Sequence, residues 1–285
     1  MDLRRYSPTS KQIQSLVGEG CYQPFIFSDD FISGIGYSWL TGEMIIAMDR
    51  KNDIAYQWRA PNTPLIPIHG YITEEKWRLF SEYNAKIRKM YDSWIDHTLT
   101  ALGNPLNYSV IDTAANAGYF LYHFKERGAG RCLGYDLQDL TAAYATLNSL
   151  IHTDVQFVSQ HYSMETHTIP GCPASDVVIS SAIMCHLSDP LNYLTFLGSI
   201  TKKALLLFTT VDNKDNYQII YHGAKKYYPD ARFPNCFDQN TEISKGLLMF
   251  GLEELGFSDI LEIPNSDCGI KIVTDSNLRT FLAVR

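Results

Sequence analysis

The spacing of apolar residues changes twice along the chain. Over residues 21–60 it has strand character: "EMIIAMD" and "DIAYQWR" gather β-formers around the polar turn "RKN", which predicts a hairpin. "PFIFSDDFISGIGYSWL" continues this character, although its Gly and Ser break the alternation. "APNTPLIPIHG", with three prolines close together, reads as a connection. At Thr73 the period becomes helical. In "TEEKWRLFSEYNAKIRKMYDSWIDHTLTAL", Trp77, Phe80, Ile87, Tyr91, Trp94, Ile95 and Leu102 recur on one face. Thr73 is the predicted N-cap, two glutamates occupy the first turn, and Gly103 and Pro105 stop the helix. Its apolar face should lie against the domain that follows. Lys76, Arg78, Lys86, Arg88 and Lys89, interspersed with acids, read as a solvated face, with a hold on an anionic substrate as the sharper alternative.

From Ser109 strand and helix patterns alternate to the end. The strands are "YSVIDT", "RCLGYD", "VQFVSQ", "DVVISSAI", "ALLLFTTV", "SDILEI" and "TFLAVR"; between them "GYFLYHFKERG", "LTAAYATLNSLIH", "PLNYLTFLGSITKK" and "EISKGLLMFGLEELG" read as helices. This order predicts an α/β fold, a Rossmann-like seven-stranded, mostly parallel sheet with helices on both faces. The last two strands have no room for a crossover helix between them, so the final strand should be antiparallel. Three parts are expected: a β-rich N-terminal extension or lid over 1–72, a linking helix over 73–103, and the α/β domain over 104–285 with an aromatic insert at 216–240.

Composition narrows the class. A net charge of −7 with 24 basic residues leans against extended nucleic-acid binding. No window approaches the ~18 apolar residues a membrane span needs, and "MDLRRYSPTSKQ" has no apolar core of a signal peptide. Six cysteines without a CxxC pair suit reduced thiols, so a cytoplasmic location is expected. The 18 tyrosines, 14 phenylalanines and four tryptophans fit either a pocket for a flat substrate or extra core and interface. A homodimer is compatible with the apolar helix and the β-hairpins.

The first turn of the α/β domain, "VIDTAANAGYF", has the outline of a nucleotide-binding loop but one glycine. Such a turn needs close backbone approach and one or two residues with positive φ. Alanine supplies the approach, and asparagine tolerates the left-handed region. Asp112 closes the strand, and Asp136 ends the next one, 24 residues later, where a carboxylate can accept from ribose hydroxyls. The bland alternatives are a helix cap for Asp112 and an ordinary turn for Asp136. A dinucleotide would require G-x-G-x-x-G, which is missing; a nucleoside without phosphates, such as S-adenosylmethionine, does not.

"VIDTAANAGYFLYHFKERGAGRCLGYDL", "VQFVSQHY" and "DVVISSAIMCHLSDPLNYL" in this order resemble the class I S-adenosylmethionine-dependent methyltransferases. "NAGYF", "CHLSDPL" and the closing "ELGF" are similar to the group containing the tRNA wobble-uridine carboxymethyltransferase. The resemblance implies that Asp112, Ala114, Asn116 and Gly118 face the methionine part of the cofactor, that Asp136 binds the ribose and that Leu137 packs on the adenine. It places Gln160 or His161 at the adenine amino group and Ser180 and Ser181 beside the methyl donor.

Methyl transfer mainly requires alignment of the acceptor and exclusion of water. A base is needed only where the acceptor must lose a proton. His186, just past the fourth strand, is the candidate base or substrate ligand, its alternative being to order the loop. Tyr119 is the candidate contact to donor or acceptor. Asp212, Asn213 and His222 are further acceptor-side candidates, and the insert's lysines with Arg232 could meet a carboxylate on the acceptor or on a carboxylated cofactor. No G-x-S-x-G setting and no metal motif compete. The expected function is O- or N-methylation of a small molecule. The alternatives are methyl or carboxymethyl transfer to a tRNA base, or a catalytically inactive binding or scaffold protein of the same fold.

Overall fold

The computed structural model describes residues 1–34, 45–58, 63–103, 106–223, 239–265 and 277–285. Before the first strand lies a helix that the apolar pattern did not announce, α1 (Ser10–Gly18). It starts on a capping box. Gln12 N–H donates to Thr9 Oγ1 at 3.3 Å and Thr9 N–H donates to Gln12 Oε1 at 2.9 Å. The strands β1 (Ile26–Ser28), β2 (Phe31–Ser33), β3 (Ile45–Asp49), β4 (Ile54–Gln57) and β5 (Ile66–His69) form an antiparallel sheet in chain order. The stretch expected to be a plain connection thus holds a strand. Pro67 pairs with Tyr56 at the sheet edge, where a residue without an N–H donor is tolerated.

Helix α2 (Glu74–Leu102) begins at Thr73, whose Oγ1 accepts from Lys76 N–H at 3.2 Å, and ends at Gly103, φ 71°. It is buried in two places. Phe80 packs with Ile32, Ile45, Met48 and Ala55 of the N-terminal sheet. Further along, Tyr91 and Trp94 meet Phe120, and Trp94 lies 4.7 Å from Phe208, ring centre to ring centre. On the outer face Arg78 pairs with Glu82, and Lys76 sits over the Tyr71 ring.

The second sheet is built from β6 (Ser109–Asp112), β7 (Arg131–Asp136), β8 (Gln156–Ser159), β9 (Ser175–Ser181), β10 (Thr201–Asp212), β11 (Ile219–Gly223), β12 (Gln239–Ser244), β13 (Asp259–Ile263) and β14 (Leu278–Val284). Strands β8, β7, β6, β9 and β10 are parallel neighbours; β14 then pairs antiparallel with β10 and with β13. Helices α3 (Tyr119–Glu126), α4 (Thr141–Ile151), α5 (Pro190–Ile200) and α6 (Lys245–Glu254) connect them. Alternate residues of the central strands face opposite ways. Val110, Val177, Ile179 and Leu206 pack with α2, α3 and α4, while Ile111, Val178, Leu205 and Leu207 pack with α5 and α6. Continuous apolar strands are what a sheet covered on both faces requires. The seven expected strands, mostly parallel with an antiparallel last strand, are therefore present, and β11 and β12 extend the sheet to nine.

Several boundaries differ from the expectation: the helix expected from Glu242 begins at Lys245, because Glu242–Ser244 belong to β12. The helix expected to run to Lys203 ends at Ile200, because "TKK" already belongs to β10, and Thr201 Oγ1 donates back to Leu197 O at 2.7 Å. Part of the insert is regular: β12 continues the sheet beyond Val211–Asp212 of β10, and β11 pairs with it. Residues 224–238, with Arg232 and the insert lysines, lie outside the described residues, as does the His222 side chain. Among the described residues no helix is long and apolar enough to cross a membrane.

Because Trp94 is buried where α2 meets α3 and β10, Trp94→Ala should cost about 3–5 kcal/mol of unfolding free energy. An unchanged midpoint in urea would show that the helix is not held by this contact.

Candidate functional site

Strands β6, β7, β8 and β9 all end at one edge of the sheet, where ligands of such folds bind. The turn after β6 carries the backbone the sequence analysis required. Asn116 has φ 42° and Gly118 has φ 79°, so asparagine and glycine take the two left-handed positions. Gly118 is irreplaceable on space as well. A Cβ there would lie 2.8 Å from Tyr144 Oη, and one on Gly134 of β7 would lie 2.5 Å from the same atom. Tyr144 of α4 fills the volume under the turn.

Asp112 is buried, with Oδ1 accepting from Ala114 N–H at 3.1 Å and Oδ2 having no hydrogen-bond partner. Burial pushes its carboxyl up to about 7, against the Ala114 N–H, and the nearby Asp136 charge adds to the rise. Asp136 is half-buried at the end of β7 and accepts from Gln138 N–H at 2.9 Å and from Asn116 N–H at 2.8 Å. Burial raises its carboxyl too, while those backbone N–H groups oppose the rise. Asn116 thereby joins the two acid-bearing loops.

Five N–H groups of the turn are used inside the protein: Ala114 to Asp112, Ala115 to Tyr135 O, Asn116 to Asp136, Gly118 to Ala115 O and Tyr119 to Gln23 Oε1. A pyrophosphate cradle needs such groups free. The arrangement suits a nucleoside without phosphates, and the orphaned Asp112 Oδ2 suits a ligand with a cationic end.

The remaining candidates divide by position. Leu137, half-buried, follows Asp136 directly. Gln160 is exposed and His161 half-buried just after β8, where burial lowers the His161 imidazole below its ordinary value. Ser181 ends β9, half-buried. Ser180 is turned to α5. Its hydroxyl shares a hydrogen bond with Tyr193 Oη at 2.9 Å, and Tyr193 Oη lies 2.8 Å from Thr113 Oγ1. His186 closes a short 3-10 turn (Met184–His186) after β9, and the adjacent Cys185 raises its imidazole against the effect of burial. Tyr119 is turned to α2: its hydroxyl donates to Asp92 Oδ1 at 3.0 Å, and its ring meets Phe25 and Tyr91. Asp212 accepts from Lys214 Nζ and Gln218 Nε2.

Residues 19–23, which no motif marked, also reach the site. Gln23 Nε2 donates to Ala115 O at 2.9 Å while its Oε1 accepts from Tyr119 N–H at 2.7 Å. Gly20 and Pro24 mark a turn there, but nothing in "CYQPF" announces that Gln23 makes such a contact.

The Asp112 proton is held more tightly in the fold than in the unfolded chain, so stability should fall as pH rises from about 4 to about 7 and then level off. Asp112→Asn should remove its share of that slope, on the order of 3 kcal/mol over the range, and leave the part that Asp136 contributes. Parallel urea unfolding at pH 5 and pH 8 measures it; equal pH dependence in the two proteins would rule the assignment out.

A family model described as a methyltransferase domain matches residues 83–252, which include both acid-bearing strands and the loops after them. No curated protein matches the chain. Among solved structures, the magnesium protoporphyrin IX methyltransferase of Synechocystis PCC 6803, with S-adenosylhomocysteine bound, is similar with TM-score 0.51 and 15% identity, over 76% of this chain and 90% of that one. The 1,6-didemethyltoxoflavin-N1-methyltransferase of Burkholderia thailandensis follows with TM-score 0.48 and 15% identity, over 81% of this chain and 95% of that one. At these identities the likeness concerns the fold. The family match covers more than half of the sequence, and the chain belongs to the methyltransferase domain family.

Proposed function

We propose that the protein is an S-adenosylmethionine-dependent methyltransferase that acts on a small-molecule acceptor, with transfer to oxygen or nitrogen. The observation that carries this reading is the pair of acids at neighbouring strand ends, joined through Asn116 beside a turn whose amides are already occupied. Bound S-adenosylmethionine supplies an electrophilic methyl group, and S-adenosylhomocysteine is the product. Asp136 holds the ribose hydroxyls, Leu137 packs on the adenine, and Gln160 or His161 meets its amino group. Asp112 and the turn Ala114–Gly118 take the methionine end, whose ammonium compensates the buried carboxylate. Ser181 lines the same edge, whereas Ser180, bonded to Tyr193, shapes it from behind.

On the acceptor side, His186, in the turn after β9, takes a proton where the acceptor must lose one. Tyr119 serves the site by anchoring α3 to α2 through Asp92 rather than by touching donor or acceptor with its hydroxyl. The acidic net charge of −7 supports a small acceptor over an extended polyanion. The magnesium protoporphyrin IX methyltransferase, by its name, acts on a small molecule, which is consistent with this class.

Calorimetric titration with S-adenosylmethionine and S-adenosylhomocysteine tests the reading. Both ligands should bind in the micromolar range. Asp136→Ala should weaken binding tenfold or more, about 1.4 kcal/mol. Binding should also tighten from pH 6 to pH 8, because a cationic ligand favours ionised Asp112, and Asp112→Asn should remove that dependence. Folded protein that takes up neither ligand would end the enzymatic reading.

A further inference from the structure

The segment Glu19–Gln23, between α1 and β1, lies across both loops of the cofactor site. Its contacts are built from both sides. Gln23 bridges Ala115 O and Tyr119 N–H, as described. Tyr22 N–H donates to Asn116 Oδ1 at 3.2 Å, and Asn116 Nδ2 donates to Gly20 O at 3.4 Å. Over the second loop, Gln138 Nε2 donates to Glu19 O at 3.3 Å, and Ala143 N–H donates to Glu19 Oε2 at 2.8 Å. The strap is therefore fixed to the turn that takes the methionine end and to the loop that takes the nucleoside.

Two details show what it presents to the interior. Gly20 has φ 83°, and a Cβ on it would lie 2.9 Å from Gln138 Nε2 and 3.4 Å from the Trp58 ring. The chain thus passes between the loop after β7 and the N-terminal sheet with no space to spare. Tyr22, half-buried, meets Trp58 edge to face, ring centres 6.3 Å apart. Burial and the charges of Asp136 and Asp112 keep its phenol neutral, and its N–H is bonded to Asn116, whose own N–H is held by Asp136, so the residue stands beside both acid-bearing loops.

We propose, on the basis of the cofactor assignment above, that Tyr22 contacts the bound cofactor and that the strap Glu19–Gln23 must release from Asn116 and Tyr119 for the cofactor to exchange. The N-terminal extension then supplies part of the cofactor site itself, in addition to any wall it lends the acceptor. An electron-rich ring edge-on to Trp58, on a residue bonded to the turn after Asp112, is a suitable neighbour for a sulfonium or ammonium group. Gln23 holds the strap shut without needing to touch the ligand.

Binding and release of S-adenosylhomocysteine by the full chain test this. Tyr22→Ala should weaken binding at least tenfold, Tyr22→Phe less, and Gln23→Ala should raise the dissociation rate at least tenfold in stopped flow. Lys11→Ala on the exposed face of α1 should leave both quantities unchanged. Hydrogen exchange on the unmutated protein gives a measure free of folding defects: amides of residues 19–23 and 115–119 should slow on saturation with the ligand. Wild-type affinity and release in Tyr22→Ala and Gln23→Ala, with no change in exchange at residues 19–23, would overturn the proposal while leaving the cofactor assignment intact. Tighter binding by Tyr22→Ala would also overturn it, since the ring would then be a plug. Failure of the wild type to bind the ligand at all would remove the cofactor assignment and the strap with it.

Discussion

Asn116 is the residue on which the site depends. Its backbone sits in the left-handed region, its N–H is held by Asp136, and its side-chain amide reaches Tyr22 N–H and Gly20 O. Aspartate would lose the donor to Gly20, and glycine would lose both side-chain bonds while keeping the conformation. The turn therefore does more than a glycine-rich loop does. Where glycines only permit close approach, this asparagine also ties the turn to the next strand end and to the chain that passes over it.

The electrostatic character of the site follows from that arrangement. Two carboxyl groups stand at adjoining strand ends with burial raising both. Asp136 is compensated by the backbone N–H groups of Gln138, Asn116 and Leu137, whereas Asp112 has that of Ala114 and an oxygen without a partner. Tyr144 Oη, also buried and without a partner, lies beneath the same turn. Such uncompensated groups cost stability in the free protein and favour a ligand that brings positive charge and hydrogen-bond donors.

Much of this was legible in the sequence, for a physical reason. The sheet strands are buried on both faces, so "VVIS" and "ALLLF" read as continuous apolar runs, and helices with one apolar face separate them. Asp112 and Asp136 were legible because each stands where an apolar run stops. The short α1 was not, since "SKQIQSLVG" has little apolar content, although Thr9 and Gln12 spell its capping box. The strand at Ile66–His69 was hidden by Pro67, which only an edge position allows. Side-chain direction was illegible too. Tyr119 and Ser180 occupy the expected positions in the chain, yet bond to Asp92 and Tyr193 on neighbouring helices. Nothing local in "AGYF" or "ISSA" decides which way a side chain turns.

The partners of Asn116 in the strap also bear on how the chain assembles. Tyr22 and Gly20 are 94 and 96 residues earlier in sequence, and Gln23 is 92 residues from Ala115. Closing loops of that length is paid for in chain entropy before any local contact repays it. The parallel strands can organise around their own apolar core first. The turn after β6 is complete only when the segment Gly20–Gln23 has docked back onto it, so the site joins two distant stretches of the chain.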